Sequence, residues 1–215
     1  MGSPQGPPVA HVPGWENIPQ LAHGFCGRRG GVSPGDFADL NLSDAVGDDP
    51  ACVRENWRRV IGATVGPLRV VTMRQMHGAR IAHVDERSAG LPEADALISR
   101  SAGLALGILT ADCVPIFLVV PRARVVAAVH AGWRGTVLGI ARQVVQALEK
   151  TFSVTPAAIR AAMGPTVGAC CYEVDRGITD DLERRWGAMP DAVARHGTKS
   201  RLDLRQANVA ILTGS

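Results

Sequence analysis

The sequence predicts a sheet protein of the α+β or α/β class. Two observations carry this. Short runs rich in Val, Ile and Leu, bounded by Gly, Pro or Asp, alternate with segments of helical periodicity. Strands and helices interleave with mixed connections, which excludes all-α and all-β patterns. A chain of 215 residues with 46% hydrophobic residues buries one sizeable core without disulfide staples.

The elements follow in order. Residues 1–13 (MGSPQGPPVAHVP) are rich in Gly and Pro and read as a flexible arm, with residues 14–215 as a single catalytic domain. Gly24 to Pro50 reads as a long structured loop. A helix is predicted over Asp49–Ile61, with Pro50 in its first turn. Strands are predicted at Leu68–Met76, Leu104–Thr110 and Val125–Val129, with a further run over Val114–Val120 that starts beside Pro115. Thr136–Phe152 carries Val137, Ile140, Ala141, Val144, Val145 and Leu148 at helical spacing and reads as one helix. Ile159–Met163 is predicted as a strand, and Arg176–Trp186 and Asp203–Leu212 as helices. In the last of these, the spacing of Leu204, Ala207 and Ile211 predicts the face that packs inward.

Composition excludes several classes of function. The net charge is +3, from 23 basic and 20 acidic residues, and the arginines form no stripe. With aromatics at 4%, nucleic-acid binding is not expected. No apolar run reaches the length of a membrane span. Five cysteines without C-x-x-C spacing, and an N-terminus without a basic, apolar leader, predict reduced thiols in a cytoplasmic protein.

The informative pattern is positional. His77 ends VVTMRQM, Cys113 closes LALGILTAD, and His130 ends VVAAV. Each sits where an apolar strand gives way to a turn. Three such side chains converging at one sheet edge offer nitrogen and sulfur ligands that suit Zn²⁺, with a fourth position open. The competing reading is three unrelated buried residues. Polar neighbours that a plain core does not need are Gln75, Asp112 and Arg134. Asp112 equally suits a turn or a helix cap, and Arg134 a solvated surface. RRGGVSPG, with Arg28, Gly30 and Gly31, reads either as an anion-binding turn or as a bland surface turn; it lacks P-loop spacing. Cys170 and Cys171 read as structural, since adjacent residues rarely both reach one metal. His23 and His83 also read as structural, and His11 and His196 as solvated.

Together GFCGRRGGVS, LNLSDAVGDDP with Asn56, QMHG, ADALIS, LTADCVP, HAGWRG and GPTVGACCYEV resemble the YfiH family of bacterial proteins, also called laccase-domain or polyphenol-oxidase-like proteins. The likeness spans about Gly24 to Asn208 and is most specific in ADC followed by HAGWRG. It implies an α+β fold of layered α/β character, with mixed β-sheets flanked by helices, and a metal site at His77, Cys113 and His130. It also implies zinc-dependent phosphorolysis of purine nucleosides, methylthioadenosine included, and deamination of adenosine. The partners so implied are purine nucleosides and phosphate. Departures are Cys26-Gly27 where the family has Ser-Thr, and Ser43 where it has Gly. The family pattern also continues past the DLRQAN helix, from which weaker turnover is expected for a chain ending at Ser215.

In the expected chemistry, Asp112 or another nearby carboxylate moves protons, Arg134 and Gln75 complete the catalytic set, and either Arg28 with Gly30 and Gly31, in a turn expected beside the metal, or Arg134 holds phosphate. Three alternatives use the same residues. One is a cysteine hydrolase with Cys113 as nucleophile and a histidine as base. Another is a copper oxidase, for which six histidines without a His-x-His pair are too few. The third is a non-enzymatic factor with a vestigial site.

Overall fold

A computed structural model describes residues 6–214. In chain order its elements are β1 (Val9–Ala10), β2 (Phe25–Cys26), α1 (Pro50–Thr64), β3 (Arg69–Val71), β4 (Ile81–His83), β5 (Ala96–Ser99), β6 (Leu104–Leu106), β7 (Val114–Val120), β8 (Val125–Ala131), α2 (Trp133–Leu138), α3 (Ile140–Phe152), β9 (Arg160–Met163), β10 (Glu173–Asp175), α4 (Arg176–Trp186), β11 (Val193–His196), β12 (Lys199–Leu202) and α5 (Leu204–Thr213). This is the mixed arrangement of sheets and helices that the pattern predicts. No helix among the described residues is long and apolar enough to cross a membrane.

The chain forms two compact units. One holds the described residues up to Val70 together with Gly103–Ala105; the other holds Val71–Ala102 and Leu106 onward. Of the N-terminal arm, residues 1–5 lie outside the described residues. Val9 and Ala10 form β1, paired antiparallel with β2.

In the first unit, the long loop is held by α1. Asp49 caps that helix by accepting from the Ala51 N–H at 2.7 Å, and Pro50 starts it, where a missing N–H costs nothing. Asn56, fully buried on α1, accepts from the Val32 N–H and donates to Ser33 Oγ and the Asn41 carbonyl, each at 2.8 Å. Arg59 donates to the Gly30 and Gly31 carbonyls. Part of the loop's backbone thus finds its partners on side chains of one helix.

The second unit is built on a mixed five-stranded sheet, ordered β4-β5-β8-β7-β9. β4 and β5 run parallel, and every other neighbouring pair is antiparallel. Alternation along the strands divides its faces. Ala96 and Ile98, Val114 to Val120 at even numbers, and Val125 to Ala131 at odd numbers join the main apolar cluster. Against them pack Ile140, Ala141, Val144, Val145 and Leu148 of α3, and Leu204, Ala207 and Ile211 of α5, the inward face predicted for that helix. A second sheet, β10-β12-β11, adds Val174, Val193 and Leu202 to the same cluster.

Pro115 lies inside β7, a central strand. Its partner across the ladder is His130, whose N–H turns the other way, to the Asp95 carbonyl at 2.8 Å. The Pro115 carbonyl accepts from Gly164 just past the end of β9, so the proline's missing donor faces a strand end and breaks no ladder bond.

Three expectations are corrected. The single helix over Thr136–Phe152 is two helices, α2 and α3, divided at Gly139 (φ 73°). The Trp186 indole packs on the Gly139 Cα, and its Nε1–H donates to the Val137 carbonyl at 2.9 Å, at the end of α2. The runs Leu68–Met76 and Leu104–Thr110 give strands of only three residues, β3 and β6, because side-chain partners described below draw the following backbone out of the ladder. One strand that the apolar runs did not predict, β5, follows Asp95 directly, and its four residues are all buried.

Candidate metal centre

β7 and β8 bring two of the three predicted ligands together. Val114 pairs with Ala131, so Cys113, just before β7, lies beside the end of β8 that carries His130. Alternation places His130 on the face opposite Val129 and Ala131. His77 arrives from the turn before β4 in a left-handed conformation, φ 55°. The ligand-type atoms of His77, Cys113 and His130 all lie within 4.8 Å of one another. Among the described residues they are the one such group.

The residue that assembles them was not singled out from the sequence. Asp95, fully buried just before β5, accepts from three successive backbone N–H groups: Met76 at 3.1 Å, His77 at 2.9 Å and Gly78 at 2.7 Å. These amides form a nest around the carboxylate, which fixes the turn that presents His77. The same carboxylate accepts from His130 Nδ1 at 2.9 Å. That bond leaves Nε2 as the ligand atom, since the proton on Nδ1 is held by the carboxylate. Burial lowers the His130 pKa, while the Asp95 hydrogen bond opposes the shift. The ring is therefore a neutral imidazole, the form a metal needs.

The site also depends on an absent side chain. A Cβ on Gly132 would lie 3.0 Å from Cys113 Sγ and 3.3 Å from His77 Cδ2. Any larger residue there intrudes between the ligands. A tetrahedral zinc with sulfur at ~2.3 Å and nitrogen at ~2.0–2.1 Å separates its ligand atoms by about 3.3–3.8 Å. Atoms within 4.8 Å of one another are near enough to share one ion, and the His, His, Cys donor set suits a borderline-soft metal.

Burial, then the adjacent Asp112 carboxylate, push the Cys113 thiol up to about 12. Its hydrogen bond runs to Asp112 Oδ1 at 3.4 Å. This is the opposite of the activation a cysteine nucleophile requires. A cation beside the sulfur reverses the balance, because it favours the thiolate.

The remaining predicted residues are placed as follows. Asp112 is exposed, and its carbonyl accepts from Thr166 Oγ1 at 2.7 Å and from the Val167 N–H at 3.0 Å. Gln75 is committed at both ends of its amide: Nε2 donates to the Leu109 carbonyl at 2.8 Å, and Oε1 accepts from the Leu109 N–H at 2.9 Å. It clamps the segment before Cys113, so in this structure it is a positioning residue. Arg134 is exposed, with its guanidinium 4.7 Å from the centre of the Trp133 ring. Arg28, Gly30 and Gly31 belong to the other unit. There Arg28 donates to the Ala38 carbonyl, and the Gly30 N–H donates to Asp39 Oδ2 at 2.8 Å. The loop N–H groups of Val32 and Ser33 are likewise taken, by Asn56 and the Asp39 carbonyl.

Residues 22–215 match the sequence model of a family described as multi-copper polyphenol oxidoreductase laccase. The chain is 38% identical over 197 residues to a protein named purine nucleoside phosphorylase YlmD from Geobacillus stearothermophilus, covering 86% of this chain and 72% of that one. The crystal structure of that YlmD superposes with a TM-score of 0.87 at 34% identity, over 100% of this chain and 83% of that one. Purine nucleoside phosphorylase SCO2081 of Streptomyces coelicolor is 45% identical over 155 residues, and the match spans 70% of this chain and 63% of that relative's length. A protein named adenosine deaminase RL5, from an unknown prokaryotic organism, is 38% identical over 193 residues, covering 83% of this chain and 72% of that one. With the match running from residue 22 to residue 215 and the fold shared with YlmD, the chain belongs to the laccase-domain family of YfiH-like proteins.

Proposed function

We propose that this protein is a zinc-dependent purine nucleoside phosphorylase that also phosphorolyses methylthioadenosine and deaminates adenosine. The observation that carries the reading is the convergence of His77, Cys113 and His130 around Gly132, locked by one buried carboxylate. Similarity to proteins named purine nucleoside phosphorylase and adenosine deaminase supports the substrate class. His77, Cys113 and His130 would hold the zinc, which would supply Lewis acidity there.

The chain's own groups do the rest. Asp112, an exposed carboxylate beside Cys113, takes up or delivers the proton at the reacting atom. Arg134, stacked on Trp133, offers its free N–H groups to an anionic oxygen. Gln75 keeps the Leu109 peptide, and with it the approach to Cys113, in one conformation. Arg28 with Gly30 and Gly31 holds phosphate. Since the Gly30 N–H is already bonded to Asp39, the Arg28 guanidinium carries most of that role.

The test is a panel of adenosine, inosine, guanosine and methylthioadenosine given to zinc-loaded protein with and without phosphate, read by product chromatography. Release of free base and ribose 1-phosphate only with phosphate is expected, together with inosine from adenosine. Absence of both products rules the reading out. Arg28→Ala is expected to weaken phosphate-dependent turnover more than it lowers Tm; equal loss of both assigns the loop to scaffold.

A further inference from the structure

Four thiols lie outside the metal centre, and the chemistry above assigns a role to none of them. Cys170 and Cys171 are both exposed, whereas Cys26, Cys52 and Cys113 are each partly buried. The sulfurs of the adjacent pair lie 3.2 Å apart. A turn closed by the Cys171 N–H on the Gly168 carbonyl at 3.0 Å carries them. The segment is pinned on both sides. Thr166 and Val167 bond to the Asp112 carbonyl, and the Leu202 N–H donates to the Tyr172 carbonyl at 3.1 Å, where β10 begins. The two sulfurs are therefore held at high effective concentration in a fixed, solvent-facing turn.

Disulfide formation between neighbours in sequence has a distinct energetics. Their Cα atoms are about 3.80 Å apart across a trans peptide, shorter than the usual ~4.4–6.8 Å for bridged cysteines. Closure makes a small ring through the intervening peptide and costs strain. Strained, exposed disulfides are the more oxidising and labile ones, which suits reversible chemistry rather than structural stapling.

We propose that Cys170 and Cys171 form a reversible two-thiol redox site for low-molecular-weight disulfides. One thiolate attacks a sulfur of the small disulfide; the protein–small-molecule S–S bond forms, the original S–S bond breaks, and one small thiolate leaves. The second cysteine thiolate then attacks the protein sulfur of that mixed disulfide, forms the Cys170–Cys171 bond and expels the second small thiolate. Two protein thiols are oxidised and one disulfide is reduced to two thiols, so electrons and atoms balance without another reactant.

The experiment treats the full chain, zinc-loaded, with oxidised glutathione at mildly alkaline pH. Free thiols are then alkylated and the cysteine peptides mapped by mass spectrometry. Expected is a peptide holding both residues that has lost two hydrogens, resists alkylation and is restored by dithiothreitol. Cys170→Ser is expected to stop at a stable glutathione adduct on Cys171. Wild-type protein that stops at a mixed disulfide, pairs either residue with Cys26 or Cys52, or leaves both thiols unreacted overturns the proposal.

Discussion

Asp95 serves two of the three ligand positions at once, through the turn that presents His77 and through the Nδ1 proton of His130. Asp95→Asn keeps the size but sets an N–H₂ group against N–H donors. Partners of metal ligands typically change affinity by about 10–100-fold. A zinc dissociation constant raised by that factor is expected in competition with a chromogenic chelator. The variant also loses stability at ~1–3 kcal/mol for each buried donor left unpaired. Lower stability with unchanged zinc affinity would make Asp95 scaffold alone. Gly132→Ala separates the two effects from the other side. Its methyl group meets Cys113 Sγ and His77 Cδ2, so zinc bound per chain is expected to fall while the Tm of the metal-free protein changes little. Full zinc occupancy in that variant contradicts the account of why a glycine stands there. His77, Cys113 and His130 were legible because each ends an apolar run. Asp95 was not, because one carboxylate before ALIS looks like any turn residue until its four donors, distant in sequence, are seen.

The division of α2 from α3 and the cap on α1 are properties of elements. Gly139 sits at φ 73° with the Trp186 ring on its Cα, so Gly139→Ala pays for both a left-handed alanine and an overpacked ring. A loss of about 2–4 kcal/mol in urea unfolding is expected, and a change under ~0.5 kcal/mol contradicts the packing argument. On α1, hydrogen bonds from Arg58 and then Arg59 hold the Glu55 carboxyl at about 2, against an ordinary 4.5. The folded-state pKa is depressed, so the contribution is present above pH 4.5 and is lost as pH falls towards 2. The Tm difference between wild type and Glu55→Gln is therefore expected to hold steady above that range and close within it, and to shrink with added salt. A difference that persists to the acid end contradicts the ion-pair reading. Periodicity gave α4 and α5 to within a residue, and the C-terminal end of α3. It joined α2 to α3 because a lone glycine within an apolar stripe reads as a tolerated flaw, whereas Trp186, forty-seven positions later, makes it a boundary.

At the scale of the whole molecule, the three ligands come from separate stretches of the unit built on the mixed sheet, so an ion that binds them ties that unit together. A ligand that binds only the folded chain adds about 2.7 kcal/mol of stability at a hundred times its dissociation constant. Chelation of the zinc-loaded protein is expected to lower Tm, with zinc restoring it. The His77→Ala variant should show no such response, and a response there would place the metal elsewhere. By itself the sequence determined the class of fold, most helices, the inward face of α5 and the three ligand positions. These follow from local periodicity and from where apolar runs stop. The tertiary structure alone decided what lies between those positions. It closed the Asp95 nest on residues 76–78, clamped Leu109 with Gln75, cleared space at Gly132, and turned the Gly30 N–H inward to Asp39. The physical reason is that a buried polar group must find its partners, and those partners are chosen by proximity in space, which no local pattern encodes.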